Sequence, residues 1–572
     1  MSALARPVRT ALLRVLHAGY EASLLPSWAR FRAAAARPEQ AQAARLALLL
    51  RANGGTAFGR RFGFDRIDSV RAYQSSVPIC RFDAMALWVR RVAHGEPNVL
   101  TREPVRMMEA TSGSTSANKY LPFTDGLLRE IGAATHPWLF NLLRCCPGLA
   151  GTRSYWAISP VTRSGQTTPG GIPIGIEDDI EYFGPLARWV LGSMMAVPPG
   201  IARIADVDRW RWETSRHLLQ AEDLGLLSVW SPTFAIRLME CIEKDLDSLL
   251  ASIPPLRAAQ IRRRLDRTGT LTGEALWPRL AVVSSWADGP SRAFLPSLRR
   301  WFPKTPLQPK GLLATEGVVS FPLWGQEGSV LAVAGHFLEF VDAQHPTRTP
   351  MLAHELREGM MVSPVLTTSG GLYRYHLQDV VRCLGKYEAV ARVRFEGRLD
   401  CVSDLVGEKL DARVVGRALE RGARTTDTHW DFAMLAPALG TPPSYTLYLE
   451  GVCPAADAVR MAARVEHHLM QGAHYAYCRK IGQLGPVRAV TVQGGARALE
   501  RRRIAEGGRL GELKPSPLDR RTGWDRFFAT GDQDPGRSSR VTTNTSQEPP
   551  PESSRDKDDR HLHPSLPRIS TR

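Results

Sequence analysis

A dense cluster of hydroxyl side chains lies between residues 111 and 119, where the sequence reads TSGSTSANK. Five of these residues are Ser or Thr, and the last is Lys119. Closely spaced hydroxyls and main-chain N–H groups beside a cation suit the non-bridging oxygens of a polyphosphate. A Walker-type loop needs G-x-x-x-x-G-K-[ST], which this stretch lacks. The pattern therefore indicates either a phosphate grip of hydroxyls and amides or a polar surface loop.

Two carboxylates later in the chain stand beside apolar, strand-like sequence. Glu316 follows Thr315 in GLLATEGVVSFPLW, and burying its charge is costly unless a metal or a donor meets it. A Mg²⁺ ion that bridges phosphates is a natural partner for such a carboxylate. Asp379 follows an aromatic strand pattern in GLYRYHLQD, where its two oxygens could accept both hydroxyls of a ribose. An exposed strand-end Glu and an ordinary turn Asp are the alternatives.

The segments that must position these residues alternate between helical and strand-like patterns. Apolar residues at helical spacing over Pro38–Asn53, followed by two glycines, predict a helix. Beyond it, helical stretches such as ALWVRRVAHG alternate with LLSVWSPTF, RLAVVSSW and SVLAVAGHFLEFV. The alternation predicts an α/β fold with sheets layered between helices.

The length of 572 residues exceeds one ordinary core and predicts several parts. We expect a large N-terminal domain over 1–397, in which 1–35 form a helical extension, and a hinge at 398–404. A small α+β domain follows over 405–528. Residues 529–572 are rich in Ser, Pro, Asp and Arg and are predicted to be disordered.

Composition narrows the classes of partner. The net charge is +17, but only nine of the 74 cations are Lys and Arg is spread through every segment. This distribution favours anionic small molecules over nucleic acid. The sequence contains no run of about eighteen uncharged apolar residues, which is the length that a membrane-spanning helix needs. The eight cysteines form no C-x-x-C pair and suit reduced thiols, so we expect a cytoplasmic protein. We also expect a monomer.

The order of the motifs along the chain is more specific for a protein family than any single motif is. The Ser/Thr/Gly loop ending in KYLP is followed by the TE motif, then by YRYHLQD, GRLD and a late Lys in GELKP. This order resembles the adenylate-forming superfamily of firefly luciferase and acyl-CoA synthetases. Within it, the chain is most similar to bacterial members of the Gretchen Hagen family of acyl acid-amido synthetases, over about residues 35 to 520.

The resemblance implies a role for each matched position. The ATP phosphates would be wrapped by Thr111, Ser112, Gly113, Ser114, Thr115 and Ser116. Thr315 and Glu316 would lie at the α-phosphate and Mg²⁺, and Asp379 would hold the ribose. Lys409 matches a second nucleotide-contacting position, and Arg398 and Asp400 fall at the pivot between domains. Lys514 matches the Lys that swings into the site during adenylation.

The implied fold is a large adenylation domain of several subdomains, with β-sheets layered with helices plus a β-barrel-like part, and a small α+β C-terminal domain. The implied reaction uses ATP and Mg²⁺ to convert a carboxylic acid to an acyl-AMP and then to an amide with an amine, expected to be an amino acid. Apolar stretches at 138–143, 230–234 and 333–340 fit either an acyl pocket or ordinary core. His354, Glu355 and His376 are candidates for amine deprotonation or for structural roles.

Two departures from the family pattern keep other functions open. The loop has Ser114 through Asn118 where many members carry a second Thr and a Gly, and Gln378 stands where many have Gly before the ribose Asp. Replacing Gly narrows the available backbone conformations. The alternatives are a thioester-forming adenylating enzyme, a nucleotide-binding or scaffold protein without turnover, and a peripheral membrane protein that uses the basic N-terminal helix.

Overall fold

The computed structural model describes residues 6–111, 119–157, 166–175, 192–204, 206–399, 402–426, 429–451, 454–505 and 516–529. Its architecture confirms the predicted mixed α/β class. The helices are Arg6–Ala36, Pro38–Asn53, Ala57–Phe62, Val70–Ser76, Phe82–Ala93, Asp125–Cys145, Val207–Gln220, Pro232–Lys244, Leu246–Ala251, Pro255–Thr268, Gly273–Leu276, Leu295–Trp301, Ala412–Thr426, Ala455–Leu469, Ala473–Lys480, Gly495–Ala505 and Trp524–Ala529.

The strands are short, and most belong to three sheets. They are β1 (Met107–Thr111), β2 (Lys119–Phe123), β3 (Arg153–Trp156), β4 (Leu224–Ser228), β5 (Val282–Ser285), β6 (Leu307–Pro309), β7 (Leu313–Ala314), β8 (Gly317–Val318), β9 (Ser320–Pro322), β10 (Ser329–Leu331), β11 (Phe337–Asp342), β12 (Met351–Leu352), β13 (Met361–Thr367), β14 (Tyr375–His376), β15 (Asp379–Tyr387), β16 (Val390–Arg398), β17 (Val402–Ser403), β18 (Leu410–Asp411), β19 (Phe432–Ala438), β20 (Ser444–Glu450) and β21 (Arg488–Thr491).

A four-stranded parallel sheet in the order β3-β4-β5-β6 forms the first layer. Every residue of β4 and β5 is buried, which is typical of parallel strands covered by helices on both faces. Its core includes Trp210, Trp277 and Phe302 from the surrounding helical segments. The carboxyl ends of the four strands meet at one edge, which is where open α/β sheets bind ligands.

An eight-stranded antiparallel sheet forms the second layer, in the order β12-β11-β13-β15-β16-β10-β9, with β14 paired to β13. One continuous apolar core joins this sheet to the N-terminal helices and includes Phe31, Leu49, Phe321 and Val381. The predicted helix Pro38–Asn53 is observed with those bounds and has Pro38 in its first turn.

The C-terminal part has a core of its own. Strands β19 and β20 are antiparallel, and β20 and β21 are parallel. The helices Ala412–Thr426 and Ala455–Leu469 contribute Val415, Met461 and Val465 to the apolar cluster beside this sheet. This part therefore has the α+β architecture that was predicted for it. Among the described residues, no helix has the length and apolar character needed to cross a membrane.

A buried ion pair fastens the second sheet to the N-terminal helices. Arg374 donates to both oxygens of Glu339 in β11, with its Nε 3.0 Å from Oε2 and its Nη2 2.9 Å from Oε1. The two side chains are 4% and 0% exposed. Arg374 Nη1 also donates to the carbonyls of Gln74 and Val77. Both charges are thus fully compensated inside the protein.

We expect Arg374→Met to lower the free energy of unfolding by about 3–5 kcal/mol, because it leaves the Glu339 carboxylate buried without its partner. Urea titration followed by tryptophan fluorescence would measure the change. Arg348→Met is the matched control, since Arg348 is 65% exposed and its pair with Asp342 should contribute about 0–1 kcal/mol. Equal effects of the two substitutions would contradict the assignment of the buried pair as a structural tie.

Candidate active site

The predicted phosphate loop is the connection of a β-hairpin. Strands β1 and β2 are antiparallel, and Thr111 pairs with Lys119 at the end of the ladder that adjoins the loop. The cation predicted beside the loop is therefore held at its base, where Lys119 Nζ lies 5.5 Å from the centroid of the Phe82 ring. The other predicted phosphate-binding residues, Ser112, Gly113, Ser114, Thr115 and Ser116, lie outside the described residues.

Thr315 and Glu316 form the two-residue turn between β7 and β8. The sequence predicted a strand here, and the structure differs because Ala314 pairs directly with Gly317 in a tight hairpin. Gly317 has a φ of 156°, and a Cβ at this position would lie 2.8 Å from His336 Nε2. The close approach of the imidazole therefore requires glycine. Both turn residues are half-buried, so they are accessible to a ligand.

The turn is held from behind by His336. Its Nε2 lies 3.0 Å from the backbone nitrogen of Val318 and accepts that N–H. Its Nδ1 lies 2.7 Å from Glu130 Oε2 and donates to it, which fixes the tautomer. Burial, assisted by the nearby Arg45, lowers the pKa of His336 to about 3. The imidazole is therefore neutral at physiological pH and acts as a rigid link between Glu130 and the turn.

Glu130 joins several distant segments. Its side chain is 1% exposed and pairs with Arg45 from the helix Pro38–Asn53. It also accepts the Ser369 backbone N–H at 3.0 and 3.1 Å and the Ser369 hydroxyl at 2.5 Å. A buried carboxylate with this many donors is satisfied, so the network costs little to bury.

Asp379 and Arg398 are direct neighbours across β15 and β16. The Asp379 side chain is 3% exposed, and Arg398 Nη1 lies 3.6 Å from its Oδ1. This Oδ1 atom has no hydrogen-bond partner among the described residues. A buried acceptor without a donor is unusual, and it fits a site where a ligand hydroxyl completes the hydrogen bonding.

Gln378 adopts the left-handed backbone conformation that the family glycine would adopt easily. Its φ is 65°, which strains a non-glycine residue by about 1–3 kcal/mol. Two hydrogen bonds offset this strain, because the Gln378 amide oxygen accepts from Arg81 Nε and Nη2 at 2.6 and 2.7 Å. The Gln378 carbonyl also accepts the Leu399 N–H at 2.7 Å. With glutamine in place of glycine at position 378, the backbone turn that leads into Asp379 is therefore preserved.

Tyr375 connects the two groups of predicted residues electrostatically. It is 6% exposed, and burial raises the pKa of its hydroxyl above the usual range. The carboxylate of Glu316 raises this pKa further, while Arg398 lowers it. Both charges therefore lie close enough to act on one hydroxyl. The structure thus pairs Arg398 with Asp379, while Glu316 and Arg398 act on the same Tyr375 hydroxyl.

Of the two lysines predicted at the nucleotide, the structure describes only Lys409. Lys409 is exposed in the loop before β18 and has a φ of 45°. The neighbouring Glu408 is buried and anchors this loop, because its carboxylate accepts the N–H groups of Leu405 and Val406 and the hydroxyl of Tyr445. Lys514 and Asp400 lie outside the described residues.

The residues present fit a nucleotide with one metal ion better than a preformed metal centre. The described residues contain no group of three His, Cys, Asp or Glu side chains arranged to hold a metal. Mg²⁺ in nucleotide sites takes only one or two carboxylates and completes its shell with phosphate and water. A single carboxylate such as Glu316 would meet this requirement if Mg²⁺ arrives with the nucleotide.

Two of the three candidate bases have structural partners. His376 Nε2 lies 2.8 Å from the Ser363 hydroxyl, and burial together with Arg81 lowers the pKa of His376 to about 4. Glu355 accepts the Leu352 N–H at 2.6 Å and closes a local turn. Among the apolar stretches, Val333, Phe337 and Phe340 belong to the main core.

Comparison with known proteins places this geometry in a family. The chain matches the N-terminal domain of the GH3 family over residues 28–254, its central domain over 329–398 and its C-terminal domain over 413–521. The chain belongs to the GH3 family. This membership confirms the resemblance to the Gretchen Hagen (GH3) family that was drawn from the order of the motifs.

Individual GH3 relatives are distant. The indole-3-acetic acid-amido synthetase GH3.15 of Arabidopsis thaliana is 21% identical, over 72% of this chain and 77% of the relative. The jasmonoyl–L-amino acid synthetase GH3.5 of Oryza sativa subsp. japonica is 23% identical, over 77% and 85%. A GH3 domain-containing protein of Mus musculus is 26% identical, over 46% of this chain and only 53% of its own length.

A solved GH3 structure has the same fold. The AtGH3.15 acyl acid amido synthetase in complex with 2,4-DB superposes with a TM-score of 0.77 at 18% identity. The superposition covers 87% of this chain and 94% of the other. The expected arrangement of a large N-terminal domain and a small C-terminal domain is therefore confirmed at the level of the fold.

Sequence reasoning missed Glu130 and His336. His336 lies in an apolar stretch that was expected to be core or acyl pocket, and Glu130 lies inside a helix that gave no chemical signal. The two are 206 positions apart in the chain. The one available signal was a polar residue inside an apolar stretch, because such residues need a partner when they are buried.

We expect His336→Leu to loosen the Thr315–Glu316 turn, because the Val318 N–H loses its acceptor. Hydrogen exchange measured by mass spectrometry over residues 312–320 should be faster, and the free energy of unfolding should fall by about 1–3 kcal/mol. His345→Leu serves as the control, since His345 is 52% exposed. Unchanged exchange over 312–320 in His336→Leu would refute the positioning role of the imidazole.

Proposed function

We propose that this GH3 protein is an ATP-dependent acyl acid-amido synthetase. It adenylates a carboxylic acid, releases pyrophosphate, and then transfers the acyl group to the amino group of an amino acid with release of AMP. The observation that carries the proposal is Asp379 Oδ1, a buried acceptor without a donor among the described residues, next to Arg398 and within a chain that matches all three GH3 domains. The GH3 relatives with named activities are amido synthetases.

We assign the nucleotide to residues of the β1–β2 and β7–β8 hairpins and to residues near the junction between the two domains. Asp379 accepts ribose hydroxyls, and Arg398 holds the carboxylate in place. Thr315 and Glu316 lie at the α-phosphate, and Lys409 contacts the nucleotide in one domain arrangement. The phosphates are wrapped by Thr111, Ser112, Gly113, Ser114, Thr115 and Ser116. These assignments are supported by their matching order along the chain and by the placement of Glu316, Arg398 and Asp379.

In the first half-reaction, a carboxylate oxygen of the acid attacks the α-phosphorus. An oxygen–phosphorus bond forms to give the acyl-AMP, and the bond to the pyrophosphate oxygen breaks. Lys514 offsets the negative charge on the phosphates as the pyrophosphate leaves. A Mg²⁺ ion held by Glu316 would supply further charge neutralisation. The Thr315–Glu316 turn needs fixed geometry for this, and His336 and Glu130 provide it.

In the second half-reaction, the amino nitrogen attacks the acyl carbon, the bond to the AMP oxygen breaks, and the amine loses a proton. We propose that the C-terminal domain, 405–528, rotates about a hinge at 398–404 between the steps. Among the described residues, polar contacts link it to the large domain, 1–397. Arg300 lies 2.6 Å and Ser297 Oγ lies 3.1 Å from Asp431, and Arg211 lies 3.1 Å from Glu500. Such contacts are exchanged more easily than an apolar interface.

The proposal includes a cytoplasmic, monomeric enzyme. Cys80, Cys145, Cys146, Cys241, Cys383 and Cys478 are free thiols in the described part of the chain. Free thiols suit a reducing compartment. The small-molecule partners are ATP, a carboxylic acid and an amino acid.

We expect carboxylate-dependent exchange between ATP and pyrophosphate when pooled aromatic, indolic, jasmonate-like and fatty acids are offered. Glu316→Gln and Lys514→Ala should each lower the exchange rate by about 10²-fold or more, because each removes charge stabilisation of the phosphates. Radiolabelled pyrophosphate measures the exchange directly. Removal of Mg²⁺ with a chelator should abolish it.

The controls are Glu358→Gln and Lys480→Ala, which remove exposed charges of the same types. AMP release that depends on added amino acids supports the amide product, whereas release that depends on coenzyme A would identify a thioester-forming enzyme instead. ATP binding without exchange in any pool would refute the proposal in favour of a nucleotide-binding protein without turnover.

A further inference from the structure

The N-terminal helix, Arg6–Ala36, is docked on the large domain by one of its faces. The Phe31 ring packs against the ring of Phe321 in β9, with 4.9 Å between the ring centroids. Near the start of the helix, Arg9 Nε donates to Asp223 Oδ2 at 3.0 Å. The buried apolar residues of this inner face are Leu13, Tyr20, Leu24, Phe31 and Ala35. Burial of this face holds the helix in place.

The opposite face of the helix, here named the outer face, is exposed and almost wholly apolar. Its large side chains are Val8, Leu12, Val15 and Leu25, which are 54%, 38%, 68% and 51% exposed. A surface helix normally turns polar residues toward water, and a helix that is apolar all round is normally covered all round. The smaller exposed residues of the outer face are Ala11, Ala18, Gly19, Ala22, Pro26, Ala29 and Ala33.

The outer face is large enough to be an interaction surface. The helix has 31 residues, so it is about 46 Å long and about 10 Å wide. An exposed apolar strip of these dimensions covers a few hundred Å², the size at which such patches mark binding sites. The match to the N-terminal GH3 domain begins at residue 28. Most of the outer face therefore precedes the segments to which the nucleotide is assigned.

Only cations border the outer face. Where the structure describes side chains of this helix, the exposed charges are those of Arg14, Arg30 and Arg32. Glu21 is the one acidic residue of the helix, and it is half-buried and lies 3.6 Å from Arg144. With 3.6 residues per turn, Arg14 and Arg32 lie along one edge of the strip, and Arg30 lies toward the other. This distribution of charge complements an anionic surface.

A second copy of the chain fits the outer face less well than a lipid surface does. In a two-fold symmetric pair the same patch meets itself, so the arginines would meet only other arginines. Like charges brought together in an interface weaken it. At a bilayer surface, valine and leucine side chains enter the acyl boundary, while arginine heads reach up to the lipid headgroups.

We propose that the outer face of the N-terminal helix docks on an anionic membrane surface. The helix lies in the plane of the interface, with its four large apolar side chains among the upper acyl chains. Arg14 and Arg30 contact the lipid phosphates and carboxylates on either side. The inference does not rest on the proposed function, because the same reaction can take place on a membrane or away from it.

The test uses the full chain and vesicle flotation. One set of vesicles is phosphatidylcholine alone, and the other is phosphatidylcholine and phosphatidylserine in equal parts. Val15→Glu places a carboxylate in the middle of the outer face. Leu256→Glu is the matched control, since Leu256 is 82% exposed on another helix, Pro255–Thr268. Deleting the helix is avoided, because it would uncover the core beneath the inner face.

Wild type should float with the anionic vesicles, and raised salt should weaken the binding. Val15→Glu should lower the partition coefficient by about tenfold or more, because apolar burial is lost and the new carboxylate is repelled by phosphatidylserine. Leu256→Glu should bind as wild type does. The melting temperatures of both variants should stay close to that of wild type, because both side chains are exposed.

The electrostatic part is tested separately by the double variant Arg14→Ala, Arg30→Ala. It should bind the anionic vesicles about tenfold more weakly, and its weak binding to phosphatidylcholine alone should not change. The control is Arg263→Ala, Arg267→Ala, which removes two exposed charges from the helix Pro255–Thr268. An equal loss in the control would show that net charge, and not the outer face, drives the binding, and would overturn the inference.

Three further results would also overturn it: no flotation of wild type with the anionic vesicles, equal binding of Val15→Glu and wild type, or equal losses in Val15→Glu and Leu256→Glu. Wild-type dimers that Val15→Glu dissociates, seen by sedimentation without vesicle binding, would assign the outer face to a second copy instead. Pyrophosphate exchange separates this inference from the proposed function. Exchange without flotation refutes membrane docking and keeps the enzyme, whereas flotation without exchange keeps the docking and refutes adenylation.

Discussion

The geometry of the site depends on one buried carboxylate, Glu130. A charge that is 1% exposed is tolerated only when donors surround it, and Glu130 collects them from Arg45, His336 and Ser369. These donors come from an N-terminal helix, from the segment before β11 and from the segment after β13. Satisfying one charge therefore fixes three parts of the chain relative to each other. Through His336, the same network holds the Thr315–Glu316 turn.

The buried charges of this protein are of two kinds. Glu130, Glu339 and Arg374 have their partners inside the protein and contribute to its stability. Asp379 has one oxygen without a donor among the described residues. A group of the second kind lowers stability unless a ligand completes it, so it marks a place where binding is expected.

Gln378 illustrates how a departure from the family pattern is accommodated. Glycine would adopt a φ of 65° without strain, whereas glutamine at position 378 adopts it at a cost in backbone conformational energy. The hydrogen bonds from Arg81 recover part of this cost, and the backbone that leads into Asp379 is retained. The substitution of glycine by glutamine is therefore compatible with a formed site. It looked damaging in the sequence because the compensating residue, Arg81, lies almost three hundred positions away from Gln378.

The sequence by itself determined the α/β class, the family and the helix Pro38–Asn53, because these follow from local periodicity and from the order of motifs. It expected Asp379 after a strand and Arg398 in a hinge, whereas Asp379 begins β15 and Arg398 ends β16. It also gave Thr315 and Glu316 to a strand, since a two-residue turn inside apolar sequence has no strong local signal. Only the tertiary structure decided that His336 supports this turn and that the outer face of the N-terminal helix is exposed. Burial and charge compensation depend on contacts between distant segments, and such contacts leave no regular pattern in the chain.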